Sequence, residues 1–168
     1  MKKLTAVALS DKTIAGIGTF VDLGSKTGGF TPDHMKIHMP NPYFSVCRVS
    51  NPAGPWTIDT MERHLSENGQ GVPEILMSDR PFVIVAGPPQ EWGKWEGLRA
   101  LIVPPWHLLE LFAQAPHAGL FAVKGSASDP TNVLITLPRE TWKTNCHLAK
   151  AGPSEQFQVV MPAGACPE

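Results

Sequence analysis

The feature that most constrains this chain is its punctuation: 17 prolines and 15 glycines interrupt 168 residues. A proline inside a helix removes an amide donor and clashes with the preceding turn, and a glycine costs backbone entropy. Breaks this dense leave no room for long helices and suit many short strands joined by tight turns. The chain is therefore expected to be mostly β, with helix below roughly a fifth of residues against the usual third. Its length is that of one domain with a proper core. The expected layout is a single domain over 1–168, with N-terminal strands and loops over 1–55, a barrel core over 56–161 and a tail over 162–168.

The most informative stretch is residues 56–89, WTIDTMERHLSENGQGVPEILMSDRPFVIVAGPP. A strand over 56–61 runs into the cluster Glu62-Arg63-His64. A polar turn over 66–71 follows, then a return segment, Glu74 to Met77, then Arg80, Pro81 and the apolar run Phe82 to Ala86. β-Branched and aromatic residues in that run predict a strand buried on both faces, stopped by Gly87-Pro88-Pro89. The pattern predicts a hairpin with an acid and an imidazole at its mouth, the means by which a small barrel builds a pocket. Further strands are predicted over 19–23, 43–50, 98–103, 118–123, 133–137 and 157–161. Ser10 caps a short helical turn over 11–15. Residues 35–39 alternate, putting Lys36 and His38 on one face of an edge strand. Residues 106–114, WHLLELFAQ, form the best helix pattern: Leu108, Leu109, Leu111 and Phe112 make a stripe behind Pro104-Pro105. That helix is expected to pack Leu109 and Phe112 on the barrel exterior or on a partner subunit, with His107 and Glu110 as a structural pair.

A net charge of −1 gives no bulk pull towards nucleic acid or a membrane surface. Lys2-Lys3 is the longest basic run, and no apolar stretch approaches the length of a membrane-spanning helix. The start, MKKLTAVALS, imitates a secretory leader, but its apolar part is short and lacks a small-residue cleavage site. Cys47, Cys146 and Cys166 are odd in number and without metal-type spacing. They are expected to be free thiols in a reducing, cytoplasmic compartment.

The segment TIDTMERH, followed by a polar loop and RPFVIVAG, resembles the ureidoglycolate lyase family of the cupin superfamily. The resemblance implies a cupin-type double-stranded β-helix barrel, here with one short inserted helix, and a homodimer. It also implies a lyase of purine (allantoin) catabolism that splits ureidoglycolate into glyoxylate and urea. In the cupin pattern, His-x-His is followed by an acid. Glu62 takes the first histidine position and His64 the second, while Gln70 and Glu74 both suit the acid. In the second pattern, Pro-x-Gly-x-x-His-x-x-x-Asn, the chain supplies Pro138, Glu140, Lys143 and His147 in order. Trp142 matches the family tryptophan, and Lys143 and Thr144 replace the two histidines after it. On this alignment 106–129 is an insertion. A rival alignment sets 115–123, APHAGLFAV, opposite the family's Trp-His-His-Pro-Leu and retains His117. The first is preferred because it also places the final strand.

A metal site needs about three N, O or S ligands with room for water, and Glu62, His64 and Glu74 are the residues for one. Lys143 is a poor ligand, since it is protonated and only donates. A divalent metal and no cofactor at all both remain open, and His64 as a hydrogen-bonded barrel histidine is the bland account. The resemblance implies Glu62, His64 and Lys143 as the catalytic set. Arg63, Arg80, Arg99, Trp142 and His147 are the substrate-binding candidates, the arginines for their bidentate hold on a carboxylate. The expected partner is a small carboxylate substrate. The alternative is a non-catalytic cupin that binds a small acid or sugar as a sensor or structural protein.

Overall fold

The computed structural model describes residues 1–24, 39, 41–51, 55–65, 70–124, 126, 128–144 and 146–163, without the side chains of 142–144. The expectations for Lys36, His38 and Cys166 therefore lie outside the described residues. Strands account for 53% and helices for 7% of the described residues, as the proline and glycine density requires. The strands are β1 (Lys2–Ala8), β2 (Gly18–Asp22), β3 (Pro42–Val49), β4 (Trp56–Ile58), β5 (Thr60–His64), β6 (Glu74–Met77), β7 (Phe82–Ala86), β8 (Arg99–Val103), β9 (His107–Leu111), β10 (His117–Ala122), β11 (Thr131–Pro138), β12 (Cys146–Lys150) and β13 (Phe157–Val160). Two short helices interrupt them, α1 (Asp11–Ile14) and α2 (Arg139–Thr144). Ser10 caps α1 through a reciprocal pair with Thr13, satisfying amides that a free helix end would leave open.

One sheet runs β12-β5-β10-β7-β8-β1-β13-β4 and the other β2-β9-β6-β11-β3. Only Asp59 separates β4 from β5, yet they stand at or near opposite ends of the larger sheet. That sheet must therefore curl until its ends approach, and Trp56 on β4 stacks on Phe121 of β10 at 5.0 Å. The curled sheets give a half-barrel.

β7 shows how the core is built. Its residues Phe82 to Ala86 are all buried, as a run without polar alternation predicts. Phe82, Ile84 and Ala86 join the cluster shared with Leu76, Leu109 and Leu137 of the smaller sheet. Val83 and Val85 join Trp56, Trp95 and Phe157 on the other side. Each fully buried large side chain contributes about 1.5–3 kcal/mol.

Three expectations need correction. Residues 106–114 are not a helix: β9 lies between β2 and β6. Leu109 and Leu111 face the core while Leu108 and Glu110 face away, and Trp106 and Gln114 have positive φ, 59° and 66°, which no helix tolerates. His107 and Glu110 consequently sit on opposite faces, with His107 near Asp22 at 3.9 Å and Glu110 beside Thr19. Nor are 106–129 an insertion, because β9 and β10 are integral to the two sheets. Finally, β5 and β6 do not form a hairpin. A single bridge, Leu65 to Gly71, spans the turn; β5 then pairs with β10 and β12, and β6 with β9 and β11.

Candidate metal centre

The crossing from β5 to β6 is what assembles the site. Side chains two apart on a strand share a face, so Glu62 and His64 both point inward from β5. The chain then changes sheets, and β6 opens with Glu74 facing inward from the other side, 5% exposed. His117 opens β10, in register with Glu62 on one flank and Ala86 on the other. Gly119, at φ 53°, absorbs a register shift in β10 just beyond it. A Cβ there would meet the Phe121 ring and Ile58, so the bulge needs glycine.

Four side chains converge. His117 Nε2 lies 2.9 Å from Glu74 Oε2, 3.2 Å from His64 Nε2 and 3.5 Å from Glu62 Oε1. His64 Nε2 is 3.8 Å from Glu74 Oε2. His64 and His117 are both 6% exposed, and their rings stack at 4.9 Å. His117 Nδ1 donates to the Ala115 carbonyl at 3.0 Å, which turns Nε2 to the cavity. On the rim, Cys146, in register with His64, donates its S–H to Glu62 Oε2 at 3.3 Å.

The charges follow from burial and contact. Burial by itself would lower the His117 pKa, but the charge and close contact of Glu74, then Glu62 and the Ala115 carbonyl, push it up to about 9. Burial works to raise Glu74, yet His117 and then His64 bring its carboxyl below the usual value. Burial lowers His64, and the nearby His117 adds to this against the two carboxylates. At neutral pH the metal-free cluster is thus an ionised Glu74, a protonated His117 and a neutral His64. Burial, then Glu62, raises the Cys146 thiol to about 12 and also raises Cys47, so both stay protonated.

Glu62, His64 and His117 each offer a ligand atom, all within 4.8 Å of one another. Ligands held at about 2.0–2.2 Å by one metal ion lie roughly 3 Å apart when adjacent; His117 Nε2 is 3.2 Å from His64 Nε2 and 3.5 Å from Glu62 Oε1. Glu74 Oε2 is ion-paired with the His117 ring at 2.9 Å without a well-directed hydrogen bond, and His64 Nδ1, the ring nitrogen that does not face the cluster, is buried without a partner. Buried polar atoms are rarely left so. His64 Nε2 and His117 Nε2 also hydrogen-bond each other at 3.2 Å, and with Glu62 these donors lie close enough together to hold a cation.

The cavity above the cluster has a volume of about 340 Å³. Its walls are Val49, Leu76, Ile84, Leu120 and Ile135 with the thiols Cys47 and Cys146, and no Arg or Lys lines it among the described residues. The candidate cations lie elsewhere. Arg63 points out of the barrel over the Trp92 ring at 4.4 Å. Arg80 pairs with Asp129 at 2.8 Å on the surface, and Arg99 binds the carbonyls of Thr13 and Ala15. His147 stands opposite Arg63 on the exposed side of β12, so the structure brings His117, not His147, to Glu62 and His64. Gln70 is exposed and outside the cavity, leaving Glu74 as the acid. Trp142 and Lys143 are on α2, with side chains outside the described residues.

Cys47 and Cys146 are free thiols, as expected, and both line the site. Their spacing in sequence carries no sign of this; only the pairing of β12 with β5 and of β3 with β11 brings them there. No protein-family model matches the chain, and no curated protein matches it either.

Proposed function

We propose that this chain is a metal-dependent enzyme of cupin type, in which Glu62, His64, Glu74 and His117 hold one divalent cation below a pocket for a small acid. The observation that carries the reading is the convergence of ligand atoms of Glu62, His64 and His117 within 4.8 Å of one another, with Glu74 a further 2.9 Å from His117, on a largely buried centre. The order of donors supports it: an acid and a histidine two apart on one strand, an acid on the next, a histidine on a later one. That is the cupin ligand order with Glu62 in the first histidine place. Two imidazoles with carboxylates suit Mn²⁺, Fe²⁺ or Zn²⁺. When bound, the ion would offer open coordination positions to ligand oxygens and act as a Lewis acid.

The chain's own residues do the rest. Ala115 holds the His117 tautomer, as the partner of a ligating histidine does. Glu62 turns Oε1 to the cluster and Oε2 to the rim, its side chain 41% exposed, so Oε1 would hold the cation while Oε2 takes a proton from a substrate hydroxyl and returns it. The apolar walls exclude water. By the family resemblance the ligand is ureidoglycolate. Loss of its hydroxyl proton to Glu62 and cleavage of the C–N bond would release glyoxylate, with the proton passing to the departing urea nitrogen. Lyase assays on the Mn²⁺- and Zn²⁺-loaded protein test this: glyoxylate should appear, vanish on chelation, return with metal and be absent in Glu62→Gln. A protein that binds metal but releases no glyoxylate would instead be a binding module for a small acid or sugar.

A further inference from the structure

The smaller sheet presents Glu74 inward and an apolar surface outward. Strand register puts its outward residues in rows. Glu110, Ile75, Thr136 and Phe44 stand side by side across β9, β6, β11 and β3, and Met77, Leu134 and Val46 make the next row. Phe44 is 63% exposed and Val46 58%. A hollow of about 320 Å³ opens between the rows, walled also by Leu108. A contiguous outward apolar face on a sheet marks an interaction site.

Two charges bound this face. Glu110 lies in the first row, on β9. Arg48 lies on β3, one row beyond Val46 and in register with Asn132. Three strand spacings of about 4.8 Å and four residues of about 3.3 Å separate them, so the line joining them runs at roughly 45° to the strands. Neither has an ion-pair partner among the described residues. Burial raises the Glu110 carboxyl, which accepts only from the Thr19 hydroxyl at 3.3 Å.

We propose that this face docks a second copy of the chain about a two-fold axis that passes over Met77 and Leu134 and sets Arg48 of each copy on the partner's Glu110. Such an axis bisects the Glu110–Arg48 diagonal at right angles within the plane of the interface. The strands of the two facing sheets then cross at roughly 90°, one of the two usual modes of sheet packing. A self-complementary face with an acid and a base at opposite corners is what an isologous dimer requires. Each ion pair forms twice, at the rim, around a centre of Phe44, Val46, Met77 and Leu134. The arrangement also braces β6, whose inner face carries Glu74, so the dimer would stiffen one wall of the metal centre without contributing a residue to it.

Sedimentation equilibrium on the full chain tests this independently of metal or activity. The wild type should dimerise. Arg48→Glu and Glu110→Arg should each weaken the dimer on the order of tenfold or more, because each swap turns two attractions into two repulsions. The double swap should restore it, and Val46→Asp should give a monomer with an unchanged far-UV spectrum. A wild type that stays monomeric at about 100 μM, well above the μM range of modest interfaces, overturns the proposal. So does a dimer that ignores the single swaps, or one that the double swap fails to rescue.

Discussion

If the cluster binds a cation, the proton on His117 must leave first, and the structure sets the size of that competition. Glu74, 2.9 Å away, and Glu62 hold the His117 pKa at about 9. At pH 7 only about one molecule in a hundred has the ring neutral, so the apparent metal affinity should lie about 100-fold below its alkaline limit, each pH unit being worth about 1.4 kcal/mol. Between pH 6.5 and 8.5 the affinity for Mn²⁺ should therefore rise about tenfold per unit. Binding should release close to one proton, measurable by calorimetry in buffers of different ionisation heat. Glu74→Gln removes the larger of the two charges that raise His117; in that variant affinity should be weaker and its slope above pH 7 should flatten. An affinity flat from pH 6.5 to 8.5, with no proton released, would refute the reasoning, for it would mean that His117 is already neutral or is not a ligand.

The same shift governs stability without metal. His117 is raised from 6.5 to about 9, so its contribution is fully present below pH 6.5 and lost as pH rises through 9. At about 1.4 kcal/mol per unit this is on the order of 3 kcal/mol, and urea midpoints of the metal-free protein should fall over that window, unlike those of His117→Ala. Leu109→Asp should prevent folding or cost several kcal/mol, because Leu109 is fully buried in a core strand; an unchanged melting temperature would count against β9. Gly119→Ala should destabilise by about 1–3 kcal/mol through its positive φ and the clash with Phe121, and should weaken metal binding as well if the bulge sets His117. Metal affinity equal to wild type in a folded Gly119→Ala protein would remove the bulge from that role.

What could be read from the residues depended on whether one pattern fitted only one structure. Phe82 to Ala86 had a single solution, since five adjacent apolar residues between a proline and a Gly-Pro-Pro stop can only be a strand with two covered faces. Residues 106–114 had two. Leu109 and Leu111 obey the strand period, but Leu108 is also apolar because the outer face of its sheet is apolar, and the three leucines together imitate a helical stripe. The second cupin pattern, set at 138–147 because that register also places the final strand, makes 106–129 an insertion and favours His147 over His117. Glu62 and His64 were legible from their spacing on one strand. Glu74 could not be separated from Gln70, because local pattern does not say that the chain changes sheets between Leu65 and Glu74. The outward position of Arg63 follows from the same alternation that points Glu62 and His64 in.

One divalent ion is expected among Glu62, His64, Glu74 and His117. Crystals grown with Mn²⁺ at pH 8.5, where His117 yields its proton more readily, test it through the anomalous scattering of the metal. One strong peak is predicted at the centre of the cluster, within about 2.0–2.3 Å of His64 Nε2 and His117 Nε2, and absent in the His64→Ala, His117→Ala double variant. Ordered side chains in their present places with no anomalous peak between them, or a peak only at the protein surface, would contradict the account.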